Sequence, residues 1–169
     1  PAVQRRRCLE HPMRPVITFV ILALAACSPQ PATSEGTMPE LDSAFEFAQL
    51  EIVNDSGDRL SFDIYLAKTD EQRRRGLMFV RNMPERTGML FIYDEEDIHS
   101  MWMKNTYIPL DIIYALGDGS VSSVIQDTVP LSLTSLASRE PVQYVLELNA
   151  GAARQFGIGR SSRIIWHAE

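Results

Sequence analysis

The sequence predicts an all-β fold, an antiparallel sandwich or barrel-like domain with one or two short helices. Three observations support this class. Seven or eight short apolar segments follow one another from residue 45 onward, turn signals separate them about every 8–12 residues, and no strand–helix alternation indicates a parallel sheet. The chain has 169 residues, 45% of them hydrophobic and 22% charged, which suits one domain with a core.

The first two segments predict a hairpin. Phe45 to Val53 is followed by Asn54-Asp55-Ser56-Gly57, whose residue types favour a turn. Leu60 to Ala67 then alternates apolar and polar residues, as a half-buried strand does. After it, Thr69 predicts the start of a short helix, with acidic residues in its first turn, arginines in its last and Gly76 at its end.

The remaining segments predict further strands and one more helical turn. Pro109 separates two of these strands, and Gly117-Asp118-Gly119 predicts a hairpin turn between the next two. The predicted strands are Met89–Tyr93, His99–Thr106, Leu110–Leu116, Val121–Val129, Val142–Leu148 and Arg163–Trp166, and the helix is Ala150–Phe156.

Residues 13–26 predict a secretory signal peptide. Arg14 supplies the positive start, and Val16 to Ala26 is an apolar run without charge. The run is too short for a membrane-spanning helix, which needs about 20 residues. We expect residues 1–12 to lie upstream of the true start and not to be translated, with Met13 as the first residue.

The end of this run, Leu24-Ala25-Ala26-Cys27, resembles the lipobox of bacterial lipoproteins. The resemblance implies cleavage before Cys27 and acylation of its thiol, an ordinary signal peptide being the alternative. Because Ser28 follows the cysteine, it also implies sorting to the outer membrane. We therefore expect a protein on the periplasmic side of the bacterial cell envelope, with the membrane as a partner through the lipid on Cys27.

Residues 27–44 predict the lipidated cysteine and a flexible linker, because Ser28 to Ala44 is rich in Pro, Ser, Thr and acids and has no apolar period. Residues 45–169 then form a single β-rich domain. The 16 basic and 22 acidic residues give a net charge of -6, a poor match for nucleic acid, which we do not expect as a partner. Cys8 and Cys27 are too few for a disulfide-rich scaffold, and no motif predicts a cofactor.

Four motifs follow one another in the predicted domain. They are Gly76-Leu77-Met78, Gly88-Met89-Leu90-Phe91, Met103-Lys104-Asn105-Thr106-x-Ile108-Pro109-Leu110-Asp111, and Val145-Leu146-Glu147-Leu148-x-Ala150-Gly151. Their order and spacing resemble the bacterial and archaeal family called domain of unknown function 192, from about Leu50 to Ile165. The resemblance implies a compact β-sandwich and no established activity. The chain departs from the family at Gly159-Arg160-Ser161, where Gly-Asp is frequent.

The third motif supplies the candidate ligand-binding residues, which are Met103, Lys104, Asn105, Thr106 and Asp111. An amide, a hydroxyl and a carboxylate flank the turn at Pro109, and Lys104 adds charge. This arrangement predicts binding of a small polar ligand, such as a sugar or a peptide end, or of an envelope protein. The alternative, which we favour for Asn105 and Asp111, is that they bond to loop backbone and lock the turn.

A second hypothesis concerns metal. On a strand from His99 to Thr106, His99, Met101, Met103 and Asn105 would share one face, and Trp102, Lys104 and Thr106 the other. Imidazole and thioether ligands suit Cu(I), so His99, Met101 and Met103 are candidates for a periplasmic metal-handling module. Methionines that only fill the core are the alternative.

A third hypothesis is a hydrolase-like enzyme in which Asp111 and Glu147 form an acid–base pair. No specific catalytic motif accompanies these two residues. Because Leu146 and Leu148 flank Glu147, we expect its carboxylate to face outward or to pair with a cation such as Lys104 or Arg81. The sequence therefore favours a binding protein over an enzyme.

Overall fold

The structure, a computed structural model, describes residues 38–166. This part of the chain contains nine strands and three short helices. The strands are β1 Glu46–Val53, β2 Arg59–Ala67, β3 Thr87–Asp97, β4 Ser100–Met101, β5 Leu110–Ala115, β6 Val121–Ile125, β7 Leu136–Ala137, β8 Val142–Asn149 and β9 Arg163–Ile165. The helices are α1 Pro39–Asp42, α2 Asp70–Arg75 and α3 Ala152–Gln155. The predicted all-β, mainly antiparallel class is confirmed.

Seven strands form one sheet in the order β6-β5-β8-β3-β2-β1-β9, and β4 pairs with β7 in a separate ribbon. The sheet nearly closes into a barrel, because Ser120, next to β6, bridges to Arg163 on β9. Gly119 lies at this closure with a φ of 84°, and a Cβ there would stand 2.1 Å from the carbonyl oxygen of Ile164. The backbone amide of Ile164 in turn donates to the carbonyl of Gly119 at 2.8 Å. Only glycine allows this approach.

All strand pairs in the sheet are antiparallel except β2 and β3, which run parallel. Helix α2 lies in the connection between them, as a parallel pair requires. Thr69 caps α2 through a capping box with Gln72, and acidic residues in the first turn and arginines in the last complement the helix dipole. The predicted helix and the predicted β1–β2 and β5–β6 hairpins are confirmed.

Apolar side chains pack on both faces of the sheet. Ile64 and Tyr65 are neighbours on β2, both fully buried, and they belong to different hydrophobic clusters. One cluster lies inside the barrel and takes residues from all seven strands of the sheet and from α3. The other covers the opposite face, where Leu41 of α1 and Leu77, which follows α2, pack on it. Burial of one such Leu or Ile side chain contributes roughly 1.5–3 kcal/mol.

The strand predicted from His99 to Thr106 is wrong over most of its length. Only Ser100–Met101 is extended and paired. Residues 102–109 form a loop, because Asn105 adopts a left-handed φ of 56° and the segment bonds to other loops instead of to a strand. The strand predicted to end at Val129 ends at Ile125, and Asp127, with a φ of 53°, turns the chain there.

The start of the described chain lies in the segment predicted to be linker. Here α1 forms, Leu41 is fully buried, and the Met38 amide donates to the Tyr65 hydroxyl at 2.5 Å. The signal peptide predicted at 13–26, Cys27 and Ser28 lie outside the described residues. Within residues 38–166, none of the helices has the length and apolar character that a membrane crossing requires.

Candidate functional site

A cavity of about 290 Å³ opens beside α2. Its floor comes from β3 and β8, one wall from α2 and residues 76–78, and the other wall from residues 100–106. We call it the α2 pocket. The residues that line it are Asp70, Arg73, Arg74, Arg75, Gly76, Leu77, Met78, Phe91, Tyr93, Ser100, Met101, Trp102, Lys104, Thr106 and Glu147.

Strand register brings the floor residues together. β3 and β8 pair Met89 with Glu147, and side chains alternate along a strand. Phe91 and Tyr93, two and four residues beyond Met89, therefore lie on the same face of the sheet as Glu147. Gly76 allows α2 to end close to this face, since a Cβ there would stand 3.1 Å from the Phe91 ring and its φ is 46°.

Glu147 is the unusual residue of the floor. Its side chain is only 4% exposed, and its carboxyl forms no hydrogen bond or ion pair within residues 38–166. Burial disfavours the charged form and raises the pKa of Glu147 to about 8. The carboxyl is therefore mostly protonated at neutral pH, with an O–H that can donate a hydrogen bond.

The expectation that Glu147 faces outward or pairs with Lys104 or Arg81 is wrong. β8 is a central strand, between β5 and β3, and both faces of the sheet are covered. The side opposite Leu146 and Leu148 is therefore a second buried surface rather than solvent. Arg81 lies over the Tyr107 ring and Lys104 over the Trp102 ring, and neither forms an ion pair among the described residues.

Tyr93 shares the pocket floor with Glu147, and His99 lies against Tyr93. Their rings stack with centroids 3.4 Å apart and an interplanar angle of 13°. Burial raises the pKa of the Tyr93 phenol and lowers that of the His99 imidazole, because each loses the solvation of its charged form. The Nε2 atom of His99 is buried without a hydrogen-bond partner.

The rim is basic. The Arg73 guanidinium already has partners in the protein. It donates to the carbonyls of Lys68 and Ile92 and pairs with Asp70. The bond to Ile92 joins α2 to β3. Arg74 is exposed and has no partner among the described residues. Lys104 is also exposed, with its Nζ 5.0 Å from the centre of the Trp102 ring and no carboxylate in reach. Arg74 and Lys104 are the cations that an incoming ligand can use.

Two of the five predicted ligand-binding residues, Lys104 and Thr106, line the α2 pocket. Met103 is fully buried in the core instead. Asn105 does not line the cavity, and its main role is conformational, since its carbonyl accepts from the Phe79 amide at 2.8 Å. Its side-chain amide reaches only the Met78 sulfur, at 3.8 Å.

Asp111 is fully buried away from the pocket. One carboxylate oxygen accepts from the Asp127 amide at 2.9 Å and the other from the Ala153 amide at 2.8 Å, in the first turn of α3. These bonds tie a loop and a helix start to β5, as expected of a residue that locks local structure. Each of its two carboxyl oxygens thus has one backbone donor.

The acid–base pair of the hydrolase hypothesis does not form. β5 and β8 pair Asp111 with Leu148, and Ile112 with Glu147. Paired residues share a face and neighbours along a strand do not, so Asp111 and Glu147 point to opposite sides of the sheet. The sequence showed that both residues lie in strands, but the face of each depends on a register that only the structure provides.

The strand that would place the copper candidates on one face is formed only at Ser100–Met101. His99 precedes β4, Met101 ends it, and Met103 lies in the following loop, buried in the core. Within residues 38–166, no three His, Cys, Asp or Glu side chains are grouped closely enough to hold a metal ion. The strand pattern on which the copper hypothesis rested ends at Met101.

Sequence reasoning overlooked Arg74, Tyr93 and Trp102 as pocket residues, and it assigned Glu147 to a different site. A usable signal was present in the fourth motif. A single acid stands there between leucines in a segment otherwise apolar, Val145 to Leu148. Such an acid in a central strand must be buried, and a buried acid needs either donors or a functional reason.

The nearly closed sheet and its lateral pocket define a small β-barrel domain with a candidate ligand site. Residues 51–166 match the family called domain of unknown function 192, described as Uncharacterized ACR. The chain belongs to this family, as the motifs predicted.

Two solved structures are similar. A protein from Sinorhizobium meliloti 1021, provisionally named a transcription regulator, is 38% identical, with a TM-score of 0.70 over 72% of this chain and 94% of that one. A protein of unknown function from Novosphingobium aromaticivorans DSM 12444 is 32% identical, with a TM-score of 0.72 over 80% and 94%. No curated protein matches the chain.

Proposed function

We propose that this protein binds a small polar ligand that carries an anionic group, in the α2 pocket. The observation that carries the proposal is the floor carboxyl of Glu147, buried without a partner inside a cavity that opens to solvent. No protein group uses the hydrogen-bonding capacity of this carboxyl, so a ligand hydroxyl or carbonyl can take it up. Buried acids with a strongly raised pKa concentrate at functional sites.

The rim and walls indicate the ligand's chemistry. Arg74 and Lys104 can hold a carboxylate or phosphate at the entrance, where neither has a competing ion pair among the described residues. Trp102, which is exposed at the rim, offers an aromatic ring to the body of a sugar or a peptide end. The volume, near the lower end of ligand cavities, suits a compact molecule.

The cellular setting that we propose is the periplasmic side of the envelope, with a lipid on Cys27 as the anchor to the outer membrane. The lipobox-like residues 24–27 support it. Mass spectrometry of the purified native protein should find an acylated Cys27 as its first residue, and a bare thiol preceded by more residues would contradict the proposal.

Regulation of transcription is not carried over from the similar protein, because 16 basic against 22 acidic residues give a poor charge match to DNA.

Ligand binding can be tested by thermal shift and then calorimetry. The panel should contain sugar acids, sugar phosphates and short peptides with a free carboxylate, each beside its neutral analogue. We expect a charged compound to stabilise the protein and its neutral analogue to do so less. Arg74→Ala and Lys104→Ala should each weaken binding by about tenfold, the effect of one charged hydrogen bond.

Arg160→Ala is the matched control, because Arg160 is equally exposed and lies outside the pocket lining. Binding that is unchanged in both rim variants would contradict the proposed site. So would a panel in which charged and neutral analogues bind equally, because the rim cations would then contribute nothing.

A further inference from the structure

The exposed large apolar side chains of residues 38–166 are concentrated in loops. Six of them matter here, with up to 69% of the residue surface exposed, at Leu133. They are Phe79, Trp102, Tyr107, Val129, Leu131 and Leu133. They come from three segments, 76–86, 102–109 and 126–135, and none lies on a strand of the main sheet. Single exposed apolar residues are ordinary on a protein surface, whereas six in three neighbouring loops need an explanation.

Backbone hydrogen bonds join the three loops into one surface. The Phe79 amide donates to the Asn105 carbonyl at 2.8 Å, and the Leu131 amide donates to the Thr106 carbonyl at 3.1 Å. The rings of Phe79 and Tyr107 also meet edge to face, with centroids 6.3 Å apart. We call these six side chains the apolar loop surface.

The backbone is strained where this surface is formed. The four non-glycine residues with positive φ among the described residues all lie in these loops, and two of them, Phe79 and Leu131, belong to the surface. A left-handed conformation costs such a residue roughly 1–2 kcal/mol. Burial does not offset this cost, since Phe79 is 59% and Leu131 55% exposed. Strain that holds apolar groups in solvent points to a binding role.

Cations are interspersed with the aromatic rings. The Arg81 guanidinium lies 4.6 Å from the centre of the Tyr107 ring, and the Lys104 ammonium 5.0 Å from that of Trp102. Neither cation forms an ion pair within the described part of the chain. The acids of the three loops, Asp127 and Glu85, contact α3 residues, Asp127 pairing with Arg154 and Glu85 accepting from Gln155.

We propose that the apolar loop surface docks on an anionic lipid bilayer. Trp and Tyr favour the headgroup region, aliphatic side chains enter the acyl boundary, and Arg81 and Lys104 meet lipid phosphates. Charge complementarity selects this occupant, because free cations surround the apolar tips in a protein that is otherwise acidic. This docking does not require a lipid on Cys27. It shares Trp102 and Lys104 with the α2 pocket, but not Glu147 or Arg74.

Trp102 is a built-in reporter for the test, since the chain has only two tryptophans. The full chain carrying Trp166→Phe is mixed with phosphatidylglycerol vesicles whose acyl chains are brominated, which quench a tryptophan that enters the bilayer. We expect Trp102 emission to fall about twofold or more, and to fall less with brominated phosphatidylcholine. This readout reports on the loops even if another segment holds the chain on the vesicle.

Three variants complete the design. The full chain with Trp102→Phe, which keeps Trp166 as reporter, should show little quenching. Leu131→Asn with Leu133→Asn should reduce the quenching of Trp102 severalfold, and both sites are exposed, so folding should survive. Glu147→Gln, which alters the α2 pocket, should leave the quenching unchanged, so a failed pocket and a failed docking surface are distinguishable.

Three outcomes would overturn the proposal. The first is an unquenched Trp102 on chains that sediment with the vesicles. The second is equal quenching by the two lipids, which would remove the role of the cations. The third is a Trp102 emission that responds to protein concentration and not to vesicles, which would identify a second copy of the chain as the occupant.

Discussion

Asp111 and Glu147 are both acidic, both buried, and lie on adjacent strands of one sheet, yet their surroundings differ completely. Asp111 faces the side of α3, where two backbone amides donate to its two oxygens. Glu147 faces the side of α2, where no donor reaches it among the described residues and a cavity opens beside it. The same residue class therefore serves structure on one face and forms a candidate binding site on the other.

The comparison shows what identifies a functional acid in this fold. Burial alone does not, since Asp111 is the more deeply buried of the two. The hydrogen-bond donors separate them: two backbone amides reach the Asp111 carboxyl, whereas none reaches Glu147 among the described residues, and burial raises the pKa of Glu147. The following predictions test this separation, from the largest expected effect to the smallest.

Asp111→Ala should have the largest effect on stability. The change leaves the amides of Asp127 and Ala153 buried without an acceptor, each at a cost of about 1–3 kcal/mol. We expect the free energy of unfolding at pH 7 to fall by about 4 kcal/mol in a urea titration. Asp111→Asn, which keeps one acceptor, is the control and should fall by about half as much; a loss below 1 kcal/mol for alanine would contradict the structural role.

Glu147 should make stability depend on pH. Unfolded, its carboxyl loses the proton near its ordinary pKa of 4.5, whereas in the native state it holds the proton until about pH 8. Between pH 4.5 and about pH 8 the native state binds a proton that the unfolded state does not. The free energy of unfolding therefore falls as the pH rises, and the stabilisation by the protonated carboxyl is lost above about pH 8. We expect a fall on the order of 3 kcal/mol between pH 5 and pH 8.

Glu147→Gln provides the comparison for that pH series. Its amide is neutral throughout, so urea unfolding at pH 5, 6, 7 and 8 should show a much flatter profile than the parent protein. Any titration of His99 remains in both proteins and cancels in the difference. Parallel profiles for the two proteins would show that the carboxyl ionises in the native state as it does in water, and the site would lose its main support.

Local signals account for the parts of the fold that were predicted correctly. Each of these signals acts over a few residues and lies where expected. They are the turn at Asn54–Gly57, the start and end of α2 at Thr69 and Gly76, and the hairpin turn at Gly117–Gly119. The parallel pairing of β2 with β3 was not expected. It depends on α2 packing across the sheet, which is a tertiary effect that a short helical pattern does not reveal.

The candidate site was only partly predictable for the same reason. Lys104 and Thr106 were identified from a motif and do line the pocket. The strand assigned to them was wrong because Asn105 turns the chain and loops from distant positions bond to it. The burial of Glu147 depends on α2 and on residues 100–106 covering β8, contacts between segments far apart in the chain.

Asn105→Ala should lower stability by about 1–2 kcal/mol, because alanine is strained at a φ of 56°. The loss comes from the backbone, since the side-chain amide contacts only a sulfur. Asn105→Gly, which tolerates this φ, should be close to the parent protein in thermal melts. If glycine is as destabilising as alanine, the Asn105 side chain itself stabilises the loop, and the conformational explanation is wrong.

Arg74→Ala should have the smallest effect on folding and a clear one on binding. Its side chain is exposed and has no partner within residues 38–166, so the free energy of unfolding should change by less than about 0.5 kcal/mol. Arg73→Ala is the contrasting neighbour, because Arg73 joins α2 to the carbonyl of Ile92 and should cost about 1–2 kcal/mol. Urea titration of the two variants separates a cation that holds the pocket together from one that is free for a ligand. If Arg74→Ala destabilises the protein as much as Arg73→Ala does, both arginines are structural and the rim no longer supports anion binding.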